Sequence, residues 1–122
     1  MKQKEAIEAY GAILRLSDIS LPLRDAYNVF CLRRKLEPIY QFEMERERKL
    51  LEELHGEITP DGSLRFDNVE AYMEFNKKVA EMSDMEIDDE HEVIQIKIDD
   101  LKNAEMKAAD INRLYGFVEF VK

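Results

Sequence analysis

Glycine, histidine and cysteine are scarce in this chain, and each scarcity removes a class of chemistry. Four glycines are placed so that no Gly-x-Gly or Walker pattern forms, which excludes the common phosphate-cradling loops. The two histidines, His55 and His91, lie far apart and lack the helical spacing of a zinc site. A single cysteine, Cys31, cannot close an intramolecular disulfide; within Val29-Phe30-Cys31-Leu32 it reads as a buried reduced thiol. No apolar run approaches the ~18 residues of a membrane span. The opening Met1-Lys2-Gln3-Lys4-Glu5 turns amphipathic at once and does not read as a signal peptide. A cytoplasmic protein is the natural expectation.

What is present describes one small domain, residues 1–122. An apolar content of 45% is enough for a core, and 37% charge suits long helices with wide solvated faces. The net charge of −9 is concentrated in one place. From Glu81 to Asp100 there are nine acids and one base, Lys97, while the rest of the chain holds 18 acids against 17 bases. Such a field repels nucleic acid and anionic membrane, so neither is expected as a partner; it attracts a basic protein surface or a cation.

The periodicity is mostly helical. Ala6, Ile7, Tyr10, Ile13 and Leu14 recur at spacings of three and four, predicting a helix over 3–16. Ser20 is a suitable N-cap and Pro22 fits the first turn of a long helix over 21–55. The short link makes these two helices antiparallel neighbours. A helix of that length measures roughly 50 Å. Pro38 deletes one hydrogen bond and crowds the carbonyl of Arg34, so a kink is expected there. Beyond it, Glu43-Met44-Glu45-Arg46-Glu47-Arg48-Lys49 carries mixed charges three and four apart, as on an exposed helix. Its narrow apolar stripe, Met44, Leu50, Leu51 and Leu54, suits a neighbouring helix or a second copy of the chain.

Gly56 reads as a left-handed cap. Pro60-Asp61-Gly62 between Glu57-Ile58-Thr59 and Ser63-Leu64-Arg65-Phe66 predicts a hairpin over 57–66. Asp67, with Glu70 three residues on, predicts the capped start of a helix over 68–82 whose face is Val69, Tyr72, Met73, Asn76, Val79 and Met82. An acidic linker, 83–91, leads to a strand over 92–98 with Ile94, Ile96 and Ile98 on one side. That strand is expected to join the hairpin in an antiparallel sheet, because a lone strand is unstable. A helix over 106–115 carries Ala109, Ile111 and Leu114; Phe117 to Val121 fits either its extension or a terminal strand. The expected class is mainly α (α+β): a long kinked helix in an antiparallel helical bundle, with a small antiparallel hairpin or sheet.

No residue stands out as catalytic, cofactor-binding or metal-binding. His55, just before a helix cap, suits the carbonyl end. The series Asp84-x-Glu86-x-Asp88 fails as a calcium loop, since Asp89 stands where glycine is needed and Gln95 where glutamate is needed. Arg33-Arg34-Lys35 is too short and too near compensating acids for a nucleic-acid patch. Two candidate sites remain. One is the acidic segment Asp84, Glu86, Asp88, Asp89, Glu90 and Glu92; the other is the helix interface Met44, Leu50, Leu51 and Leu54. Both imply a protein partner, another copy of the chain included. The acidic segment alternatively implies a decoy occupying a basic groove of a host nucleic-acid-binding protein.

Several stretches resemble a family of small uncharacterised proteins of phages and prophages of Gram-positive bacteria. They are Leu21-Pro22-Leu23-Arg24-Asp25-Ala26-Tyr27, Leu32-Arg33-Arg34-Lys35-Leu36-Glu37-Pro38, Phe42-Glu43, Glu57 to Gly62, Tyr72-Met73-Glu74-Phe75-Asn76-Lys77 and Ala108-Ala109-Asp110-Ile111-Asn112-Arg113-Leu114. The resemblance implies a phage accessory or assembly role in a bacterial host cell and brings no catalytic residues.

Overall fold

The computed structural model describes every residue except Asp89 and Asn103. It is mainly helical, with 58% helix, four α-helices and two small two-stranded sheets. Helix α1 spans Gln3–Leu16, α2 Leu23–Glu53, α3 Val69–Ser83 and α4 Ala108–Arg113. The strands are β1 (Glu57–Ile58), β2 (Leu64–Arg65), β3 (Ile94–Lys97) and β4 (Val118–Val121).

Helix α1 is the central element and packs against α2, α3 and α4. Its buried residues, Ala6, Ala9, Tyr10, Ala12, Ile13 and Leu16, form a wider face than the simple periodicity indicated. Three of them are alanines, which let neighbouring backbones approach closely. Gln3 meets Glu43 and Tyr10 stacks on Tyr40 at 4.8 Å, so sequence positions run in opposite senses and α1 and α2 are antiparallel. Val29, Leu32 and Leu36 close the core from α2, joined by Ile96, Leu114, Phe117 and Val118 from the C-terminal third.

Helix α2 runs unbroken through Pro38. Its N-cap is Pro22 rather than Ser20: Pro22 is extended at ψ 148° and its carbonyl accepts the first helical bond, from Ala26 at 2.9 Å. At 31 residues the helix is about 46 Å long. A compact chain of this size has a radius of gyration of only about 14 Å, so the rod overshoots the core. Its far end closes in a Schellman arrangement, with Gly56 N–H on the Leu51 carbonyl at 2.8 Å and His55 N–H on the Glu52 carbonyl at 3.1 Å. The left-handed residue is His55 (φ 54°), not Gly56. Gly56 is needed for space instead: a Cβ there would meet the Leu51 side chain and lie 2.6 Å from Phe66 Cε1.

The hairpin forms as expected, with Ile58 opposite Leu64 and Gly62 at φ 85°. Asp61 accepts from the Thr59 hydroxyl and from the Ser63 N–H at 3.1 Å, which holds its carboxyl below the usual range. Helix α3 is capped by Asn68, whose Oδ1 accepts from Ala71 N–H at 2.7 Å; Asp67 lies one residue outside.

The second sheet departs most from expectation. Strand β3 does not join the hairpin; it pairs in parallel with β4, Ile94 opposite Val118 through Lys97 opposite Val121. Alternation marks a strand's faces but is silent on its partner. A parallel pair needs a long crossover, supplied here by residues 98–117, which include a 3-10 turn at Ile98–Leu101 and the short helix α4. The strand therefore ends before Ile98, which is exposed, and α4 is shorter than 106–115. Residues 118–121 resolve as strand.

Candidate interaction surfaces

The inward face of α2 is set by Val29, Leu32 and Leu36. With 100° between successive residues, the opposite side carries Leu23, Tyr27, Phe30 and Arg34 in a line. The three apolar members are 87%, 61% and 50% exposed. Tyr27 and Phe30 lie ring to ring at 6.4 Å, and the Arg34 guanidinium sits 5.7 Å over the Phe30 ring. Cys31 lies beside this row and is exposed, contrary to the buried thiol expected from its apolar neighbours. Those neighbours, Val29 and Leu32, turn inward, and one residue's offset turns Cys31 outward. A hydrogen bond with Cys31 raises the Tyr27 phenol above its ordinary value.

Helix α3 also faces otherwise than its sequence suggested. Phe75 is its buried residue, with Ala71, Val79 and Met82 half-buried on the same side. Val69 (71% exposed), Tyr72 (49%) and Met73 (64%) form an outer row instead, with Asn76 exposed beside them. Phe66, from just after the hairpin, decides this orientation. It packs against Phe75 at 5.3 Å and Tyr72 at 5.8 Å.

Met44, Leu50, Leu51 and Leu54 are half-buried, and none belongs to the central core or packs directly on it. Leu51 lies by Gly56 near Phe66, so part of this stripe is covered by the chain's own hairpin. Leu50 lines a groove of about 430 Å³ between α2 and α3, with Phe42, Arg46, Lys78, Met82 and Met85. Glu43, expected on an exposed face, is 4% exposed where α1, α2 and α3 meet, and its Oε1 accepts from Gln3 Nε2 and Ser83 Oγ, each at 3.4 Å. Burial, with the negative charge of Glu43 one turn away, raises the Glu47 carboxyl.

The acidic segment is divided by its contacts. Glu86 bridges Lys2 as an isolated β-pair and receives the Met1 amino group at 3.0 Å. Asp84 takes Lys4 at 3.5 Å and Lys2 at 3.7 Å. Asp88, Glu90 and Glu92 stand exposed, and Asp89 lies outside the described residues. Glu92 lines a groove of about 820 Å³ between α2 and β3, together with Arg24, Asp25, Cys31, His91 and Gln95. The His91 ring is stacked on buried Phe117 at 4.5 Å with Nε2 2.9 Å from the Gly116 carbonyl, which accounts for it as a structural residue.

One ion pair had no sequence signal. Arg15 of α1 donates to both Asp110 oxygens, at 2.8 and 2.6 Å, and Arg113 adds a third bond at 3.1 Å. The fork geometry locks α4 to α1, and Arg15 holds the Asp110 carboxyl below its ordinary value. The partners lie 95 positions apart, beyond any local pattern.

Among the described residues no group of three or more His, Cys, Asp or Glu is placed to hold a metal ion. Among the described residues no helix is long and apolar enough to cross a membrane. No family model matches the chain, and comparison with curated proteins and with solved structures returns no match.

Proposed function

We propose that this chain is a non-enzymatic interaction protein that docks through the outer face of the first half of α2, with the outer face of α3 as a second surface. The setting is the cytoplasm of a bacterial host, in the phage accessory or assembly role that the resemblance implies. The row Leu23, Tyr27, Phe30 carries the reading, because large apolar side chains aligned over two turns of one helix are a surface built for contact. The accessible surface supports it. At 8826 Å² it exceeds by roughly 2,000 Å² the value of about 6,800 Å² normal for a folded monomer of this mass. The packing of α1 against the other helices is read as a small antiparallel bundle, bent at Pro38 where the Arg34 carbonyl loses its donor.

Affinity capture from a bacterial extract tests this. The double variant Tyr27→Ser/Phe30→Ser, folded as judged by its thermal melt, is expected to lose the proteins that the wild type retains. Retention of the same proteins by both sinks the reading.

A second reading, the acidic decoy, draws on the exposure of Asp88, Glu90 and Glu92. Its charge is reduced by the Lys2 and Lys4 contacts at Asp84 and the amino-group contact at Glu86. Replacement of Asp88, Glu90 and Glu92 by Asn and Gln would release a captured basic protein; unchanged capture excludes the decoy.

A further inference from the structure

We infer that the outer rows of α2 and α3 are the two halves of one contact, so that the chain binds a second copy of itself, α2 row against α3 row. This rests on the docking reading above and names its partner.

Both rows begin at the first residue of their helix, Leu23 and Val69, and each presents three large exposed apolar side chains. Their flanks are opposite in charge. From Leu23 to Pro38 four bases meet two acids, and Arg24, Arg33 and Arg34 border or cap the row. From Asp67 to Asp84 five acids meet two bases; Glu70, Glu74 and Lys77 border the row, with Lys78 engaged by Glu74 at 3.3 Å and Asp84 by Lys2 and Lys4. An α2–α2 contact would set arginine against arginine, and an α3–α3 contact glutamate against glutamate, each a repulsion. Only the crossed contact matches apolar row to apolar row and base to acid. Because the two rows lie on different elements, one copy offers both halves at once. Where both rows of one copy meet both rows of the other the contact closes as a reciprocal pair, and where they meet different copies it extends as a ring or an open series. Three apolar residues a side lie below the roughly 800 Å² per partner of a standard interface, so the association is reversible and concentration-dependent.

Sedimentation velocity on the purified chain provides the test. The wild type is expected to grow in mass with concentration. Tyr27→Ser/Phe30→Ser removes the α2 half and Val69→Ser/Met73→Ser the α3 half, so each variant alone stays monomeric. Mixed in equal amounts, they retain one intact α2 row and one intact α3 row and form a dimer that grows no further. Arg34→Glu in the second variant weakens that dimer at least about tenfold, the effect of one lost charge-assisted contact. Thermal melts confirm that the surface variants are folded. A mixture that stays monomeric, a wild type monomeric at every concentration, or a single variant that assembles like the wild type overturns the inference. A monomeric wild type whose Tyr27→Ser/Phe30→Ser variant still loses its captured proteins overturns self-association and leaves docking standing. A monomer whose variant captures the same proteins sinks both.

Discussion

The two halves of α2 are held in different ways. Its first half lies on the central core, where Val29, Leu32 and Leu36 are buried against α1 and the C-terminal strands. Its second half carries half-buried leucines against a thin cover, the two-residue strands of the hairpin and one side of α3, with Phe66 and Phe75 as the anchors. The same helix thus serves as a wall of the core at one end and as a support for a small satellite at the other. A helix can leave a row of aromatic residues exposed where its opposite face is strongly fixed. The outer row on α2 lies opposite Val29, Leu32 and Leu36, so a partner seated there would press on a helix whose other face is fully packed.

The largest effect that separates the two regions is a core truncation. Leu36→Ala, at a fully buried site, is expected to lower stability by about 2–5 kcal/mol. Leu54→Ala, half-buried in the satellite, should cost less than half as much. Urea titration of both variants checks the ranking; equal losses would erase the distinction.

Gly56→Ala probes the satellite alone. The added methyl would meet Leu51 and Phe66, an overpacking worth about 1–3 kcal/mol. Faster hydrogen exchange at Leu64 and Arg65, with amides of α1 unchanged, is the expected result. Loss of the cap in Asn68→Ala should cost about 1 kcal/mol, read from the shift in denaturation midpoint, and should likewise spare α1.

Acid sharpens the comparison from the core side. Asp110 has a folded pKa below its ordinary value of 3.8. It therefore contributes stability that is present above pH 4 and is lost as pH falls through the lowered folded value. Asp110→Asn should destabilise the chain at pH 6, and its deficit relative to the wild type should shrink toward pH 2. A deficit independent of pH would show that the Arg15 pair is not its source.

Much of this architecture could be read from local chemistry, and the failures share one cause. The turn at Pro60-Asp61-Gly62 and the extents of α1 and α3 depend on residues within a few positions of one another, and they were legible. Which way a helix turns depends on partners far away. Val69, Tyr72 and Met73 have an apolar spacing as regular as that of a core face, but Phe66 packs on Phe75 and the edge of Tyr72, and Val69 and Met73 stay exposed. Likewise Glu43 reads as solvated among its charged neighbours until Gln3 and Ser83 converge on it. The parallel pairing of β3 with β4 and the Arg15–Asp110 fork join segments separated by two dozen to nearly a hundred positions. Of the interface residues expected from the sequence, Met44, Leu50, Leu51 and Leu54 proved half-covered, while the more exposed apolar row lies on the nearer half of the same helix.

Hydroxyl-radical footprinting tests the central claim most directly, because the chain contains its own control. Tyr27 lies in the outer row of α2, whereas Tyr115, 86% exposed, lies outside both rows. On passing from dilute purified protein to concentrated protein or bacterial extract, labelling of Tyr27 and Phe30 should fall while that of Tyr115 holds. Equal labelling of Tyr27 in every condition would contradict the assignment of α2 as a docking surface.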